Sequence, residues 1–186
     1  MGRSTQLDKI LVVDLECTCW RDKPPLGQRS EIIEIGVCEV NLETLEVGEA
    51  ESMMVRPTWS CVSGFCTELT SITADDVENA PVLVEALSVF SAIYSPYKRV
   101  WASYGDFDRE HLQKECREKA MHYPFGKTHI NIKNLLAVTR GWEREVGMKK
   151  ALEILGIPLE GRHHRGVDDA RNIAKILVEI LKGWKR

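Results

Sequence analysis

The first third of the chain follows a strand-type pattern of apolar and polar positions, and most of the remainder follows a helical one. Residues 9–16, KILVVDLE, form an apolar run closed by acids, which predicts a buried central strand ending at something polar. After a loop marked by Pro24, Pro25 and Gly27, EIIEIGVCEV (31–40) and EAESMMVRP (49–57) read as two more strands joined by a polar connection of hairpin length. Thr73 with Asp76 has the spacing of a capping box, and Pro81 suits the first position of a helix. In that helix Leu83, Ala86, Leu87, Phe90 and Ile93 share one apolar face. RVWAS (99–103) predicts a strand, Phe107 to Ala120 a helix and HINIK (129–133) a short strand. Helices follow around Leu135, Leu136 and Val138, over MKKALEILG, and from Val167 to Leu181.

A strand meander followed by alternating strand and helix predicts an α/β or α+β sheet flanked by helices, with no linker long enough to divide the chain. At 186 residues, with 44% hydrophobic and 28% charged, one core is affordable and solubility is assured. The net charge of -3 excludes a polycation whose affinity for nucleic acid comes from bulk charge, so any nucleic acid must be met locally. No apolar run reaches membrane-spanning length, and MGRSTQLDKI carries no signal-peptide core. The expectation is a soluble, cytoplasmic protein with no membrane partner. Its cysteines (Cys17, Cys19, Cys38, Cys61, Cys66, Cys116) are then thiols, and the Cys17, Cys19 pair lacks the second pair that a zinc site needs.

Carboxylates are placed less innocently. Asp14 and Glu16 stand two apart on a strand, so both side chains leave the same face. Like charges forced together raise one another's pKa unless a cation lies between them, and oxygen ligands favour a hard divalent ion. At the start of the last helix, Asp168 shares a row with Arg171, Asn172, Lys175 and Glu179, whereas Asp169 stands above Ile173, Ile176 and Ile180. Asp169 is the inward member. In the Gly105–Asp108 turn, Asp106 aligns with Glu110, Gln113 and Arg117, and Asp108 with Leu112 and Cys116, so Asp108 points inward. His164, five residues before Asp169, is placed to act as a base, while His111, His122, His129 and His163 read as surface or structural groups. Four acids from a strand end and two helix starts suit two Mg²⁺ or Mn²⁺ ions that activate water for attack on a phosphodiester.

DLECTCW, the Gly-Asp-Phe-Asp turn and His164 followed by Asp169 together resemble the DEDDh branch of the DEDD 3′-5′ exonucleases. The likeness extends into FCTELTSIT, YPFGKTHINIK and GRHHRGVDDARNIAKI, which look like the subgroup of histone-mRNA 3′ exonuclease, prion-protein-interacting exonuclease and KapD-like proteins. That resemblance implies an RNase H-like fold, a mixed five-stranded sheet with helices on both sides, and a single exonuclease domain over residues 1–186. It implies that Asp14, Glu16, Asp108 and Asp169 hold the metals and that His164 is the general base. It also implies release of nucleoside 5′-monophosphates from the 3′ ends of single strands, RNA before DNA.

Phe107 and Trp20 are candidates for stacking on the terminal base, and Arg162 and Arg165, with His163, for the phosphate backbone. Lys182, Lys185 and Arg186 form a cationic helix end. Two alternatives stay open at this point: a DNA-directed proofreading or repair exonuclease with the same five residues, and a non-catalytic binding module on the same fold.

Overall fold

A computed structural model describes residues 5–184. One mixed sheet contains β1 (Gln6–Cys17), β2 (Ile32–Asn41), β3 (Val47–Met54), β4 (Arg99–Ser103) and β5 (His129–Asn131) in the order β3-β2-β1-β4-β5. The meander β1-β2-β3 is antiparallel, and β4 and β5 add in parallel on the other side of β1. Helices α1 (Gly64–Thr70), α2 (Ala74–Glu78), α3 (Leu83–Tyr94), α4 (Phe107–Glu118), α5 (Ile132–Arg140), α6 (Met148–Leu155) and α7 (Gly166–Trp184) surround it. The mixed five-stranded sheet flanked by helices is the architecture that the sequence pattern and the resemblance led to.

The alternation of β1 decides where the site can be. Leu11, Val13 and Leu15 enter the core beneath α3 and α4, whereas Ile10 and Val12 pack with α5, α6 and α7. Asp14 and Glu16 continue the second series and therefore emerge on the α7 side. On that side Ile173, Ile176, Leu177 and Ile180 of α7 are buried, each contributing about 1.5–3 kcal/mol of transfer free energy. On β2 the same face carries Glu34 and Gly36, and α7 starts so close to Gly36 that a Cβ there would overlap the backbone of Gly166.

Several local expectations need correcting. Pro81 precedes the third helix rather than opening it: its carbonyl accepts from Arg56 N at 2.9 Å, and Val82 is the cap, its N–H held by Glu85. Ile93 is exposed and Tyr94 completes the apolar face of α3. The strand at HINIK stops at Asn131, because the Asn131 side chain accepts from Asn134 N at 3.0 Å and starts α5. Val138 on α5 faces outward. Helix α1 escaped the apolar pattern; Ser63 caps it by accepting from Cys66 N at 3.0 Å, and Ser71 ends it in the left-handed region. The Thr73 and Asp76 capping box forms as expected. Lys182 lies in the last turn of α7, and Lys185 and Arg186 lie outside the described residues. All six cysteines are unbridged. Among the described residues no helix is long and apolar enough to cross a membrane.

Candidate active site

Pairing of β1 with β4 ends at Val12 and Ala102, so β1 runs on past its neighbour. There the N–H of Leu15 donates to Asp108 Oδ1 at 3.0 Å, which fixes the first turn of α4 against the strand. From above, the first turn of α7 lowers Asp169 onto the same point. Carboxylate oxygens of Asp14, Glu16 and Asp169 lie within 4.8 Å of one another, and a ligand atom each from His163, His164 and Asp169 does likewise. The residues share a cavity of about 370 Å³ that Asp108, Phe107 and Lys133 also line.

Electrostatics shows what this cluster costs alone. Burial, then the charges of Asp108, Glu16 and Asp169, push the Asp14 carboxyl well above its ordinary range. Glu16 is pushed up to about 8 by burial and then by Asp169, Glu34 and Asp108. Burial raises Asp108 to about 6 against the lowering effect of the Leu15 amide. Asp169 is raised by burial, with the His164 amide and His163 working against it. Asp169 Oδ2 accepts from His164 N at 2.9 Å and meets His163 Nδ1 at 2.9 Å. Its other oxygen, Oδ1, is buried with no partner. A buried carboxylate oxygen left unpaired among other acids fits a hard divalent cation, which would satisfy it and cancel the repulsion.

The inward and outward assignments of the aspartates hold. Asp106 is tied to Arg109 and Asn131, and Asp168 accepts from Arg162 N at 2.8 Å and pairs with Arg171. Asn172, expected on a polar surface row, is instead fully buried, bonded to both the N–H and the carbonyl of Glu160. His164 lines the cavity with its backbone left-handed at φ 66°, and burial and His163 lower its pKa. His163, read as structural, belongs to the site: its ring stacks on His164 at 3.9 Å and holds Asp169.

Phe107 is exposed at the cavity, backed by His111 at 5.3 Å between ring centroids. Trp20 is half-buried and is not among the residues that line it. Arg162 sends its guanidinium to the carbonyl of Glu68. Arg165 pairs with Glu34, 131 positions away. Glu34 was not anticipated. Fully buried, it accepts from Gly166 N at 2.8 Å and Ser52 Oγ at 2.6 Å, and so ties the start of α7 to β2. Its signal was present in the alternation of EIIEIGV, which puts Glu34 on the face of Asp14 and Glu16.

Comparison with known proteins shows the family. Residues 11–177 match the RNase T family, described as Exonuclease. Human 3′-5′ exoribonuclease 1 is 34% identical over 188 residues, a match that covers 94% of this chain and 53% of that protein. The chain thus spans about half the length of that curated relative. A crystallographic structure of the nuclease domain of 3′hExo, a DEDDh family member bound to rAMP, is 32% identical with a TM-score of 0.85, covering 97% of this chain and 94% of that one. A structure of 3′-end-specific recognition of a histone mRNA stem-loop by 3′-exonuclease is also 32% identical, with a TM-score of 0.85 over 95% of this chain and 82% of that one.

Proposed function

Since the chain belongs to the RNase T exonuclease family, we propose that it is a metal-dependent 3′ to 5′ exonuclease that removes nucleoside 5′-monophosphates from single-stranded RNA. The observation that carries this reading is the meeting of Asp14, Glu16 and Asp169 oxygens within 4.8 Å, with Asp169 Oδ1 buried and unpaired. Asp14, Glu16, Asp108 and Asp169 would hold two ions, Mg²⁺ or Mn²⁺. Bound there, the ions would supply an activated water and neutralise charge that builds on the scissile phosphate.

The remaining work falls to side chains. His164, whose pKa burial and His163 lower, accepts the proton of the attacking water. His163 orients Asp169 through its Nδ1. Phe107, presented at the cavity on the ring of His111, stacks on the terminal base without regard to sequence. The pairing of Arg165 with Glu34 argues for a positioning duty there instead of phosphate contact. RNA is favoured over DNA by the relatives whose names and partners are RNA. Residues 1–186 are taken as one exonuclease domain, and its six unbridged thiols suit a reducing compartment such as the cytoplasm.

The test is digestion of 5′-labelled single-stranded RNA and DNA side by side. A ladder of progressively shorter labelled products in Mg²⁺ or Mn²⁺, absent in chelator and blocked by a 3′ phosphate, is the expected result. Internal cuts that ignore the 3′ phosphate would overturn the polarity, and no shortening of either polymer would overturn the enzyme reading. Faster digestion of DNA would favour the DNA-directed alternative.

A further inference from the structure

Among the described residues, the cavity that gathers the four acids has a single lysine or arginine in its wall, Lys133. It occupies the first turn of α5, and the Asn131 cap of that helix donates through Nδ2 to Asp106 Oδ2 at 2.7 Å. The start of α5 is thereby fastened to the turn that presents Phe107 and Asp108. The Lys133 ammonium lies 3.1 Å from Glu145 Oε2, with the side chains 33% and 42% exposed. Glu145 belongs to the segment between α5 and α6, which Tyr104 holds at the rim by donating its OH to the carbonyl of Val146 at 3.0 Å.

Charge makes this lysine informative. Two divalent cations would only cancel four carboxylates, leaving no surplus positive charge for the phosphates of an entering strand. Arg165 is held by the buried carboxylate of Glu34, and Arg162, exposed with one N–H on the backbone carbonyl of Glu68, does not line the cavity. Among the described residues the ion-pair partner of Lys133 is a half-exposed carboxylate, and such pairs are weakly held in water and readily exchanged.

We propose that Lys133 is a substrate-binding residue, held at the cavity by Glu145 and passed from that carboxylate to a backbone phosphate when a single-stranded 3′ end enters. The assignment rests on the exonuclease reading above and adds to it a contact that recognises phosphate without regard to base. Glu145 then has two effects: it keeps the ammonium in place, and it competes with the strand for it.

Competition distinguishes this role from a merely structural ion pair. If the pair only braced the rim, Lys133→Met and Glu145→Gln would impair the enzyme alike. If Lys133 is handed to phosphate, the two variants move the Michaelis constant in opposite directions. On 5′-labelled single-stranded RNA in Mg²⁺, Lys133→Met should raise KM about tenfold with kcat changed less than about twofold, and Glu145→Gln should lower KM about two- to threefold. The slope of log kcat/KM against log salt should become shallower by about 0.7 in Lys133→Met, the loss of one single-strand phosphate contact. Lys133→Arg keeps the charge and should stay within about twofold of wild type, and thermal melts identify any variant that fails to fold. Shifts of KM in the same direction for Lys133→Met and Glu145→Gln, or an unchanged salt slope, would overturn the proposal while leaving the exonuclease reading standing. Wild-type protein that shortens neither RNA nor DNA would overturn both.

Discussion

Gly36 of β2 and Gly166, the first residue of α7, pack backbone against backbone, and a Cβ on Gly36 would overlap the Gly166 carbonyl. Two residues earlier on the same strand face, Glu34 accepts the Gly166 N–H at 2.8 Å. Sheet and helix are thus clamped three residues before Asp169. Gly36→Ala should force α7 outward. The unfolded chain's lost entropy favours alanine by about 0.4–1 kcal/mol, but overpacking against immobile backbone costs about 1–3 kcal/mol, so the clash prevails. Circular dichroism should show a melting temperature several degrees lower, and the protein that remains folded should cleave slowly. Wild-type melting together with wild-type rate would show that the approach does not position Asp169.

Stability of the metal-free protein should fall as pH rises. The carboxyls of Asp14, Glu16, Asp108 and Asp169 all have raised pKa values in the folded state. A raised acid keeps its proton longer folded than unfolded, so its contribution is fully present below the unfolded pKa and is lost as pH climbs through the folded one. For Glu16 that window runs from the ordinary 4.5 to about 8. Melting temperatures in chelator should therefore decline across this range, and Glu16→Gln should flatten part of the decline. Saturating Mg²⁺ should reverse it by satisfying the same oxygens. A metal-free protein that melts identically at pH 5 and pH 8 would contradict the repulsion among these carboxyls.

The two outward aspartates provide an internal comparison. Asp108→Asn and Asp169→Asn remove anionic groups from the cluster with little change of volume and should abolish turnover in folded protein. Asp106→Asn and Asp168→Asn change residues tied to Arg109 and Asn131, or to Arg162 and Arg171. Those variants should retain most of their activity and lose about 1 kcal/mol or less in denaturant titrations. Activity in Asp169→Asn with none in Asp168→Asn would reverse the assignment.

What sequence could convey about this site was local periodicity. A period of two put Asp14 and Glu16 on one face of β1, and helical phase chose Asp108 and Asp169 over their neighbours. Each of those inferences spans only a few residues. The Arg165 and Glu34 pair, by contrast, joins positions 131 apart, and no local pattern reveals that this arginine is already engaged. His163 and His164 are adjacent, so periodicity alone could not show that the left-handed backbone at His164 turns both rings to the cavity. Helix α1 has seven residues with only Cys66 and Thr70 buried, too short for an apolar stripe to stand out. Ile93 and Tyr94 are likewise neighbours at the end of α3, where the last turn decides which one reaches the core.

The paired histidines should separate by metal and by pH. His163 contacts Asp169 through Nδ1, whereas the ring of His164 stacks on His163 and its backbone N–H, rather than its ring, holds Asp169. Removing an orienting partner of a metal ligand typically weakens metal binding about 10- to 100-fold. His163→Ala should accordingly need more Mg²⁺ for half-maximal rate and recover much of its activity when Mg²⁺ is raised. Asparagine tolerates the left-handed backbone found at His164, so His164→Asn removes the base without forcing the loop to refold. It should bind oligonucleotide almost normally yet lose about 10²- to 10⁴-fold in kcat, and extra metal should not restore it. In wild type, burial and His163 lower the His164 pKa, so the neutral base is present above a pH lower than the ordinary 6.5 and the rate should rise through that region. The rising limb should vanish in His164→Asn and survive in His163→Ala. A near-normal rate in His164→Asn, with His163→Ala inactive at every Mg²⁺ concentration, would transfer the base to His163.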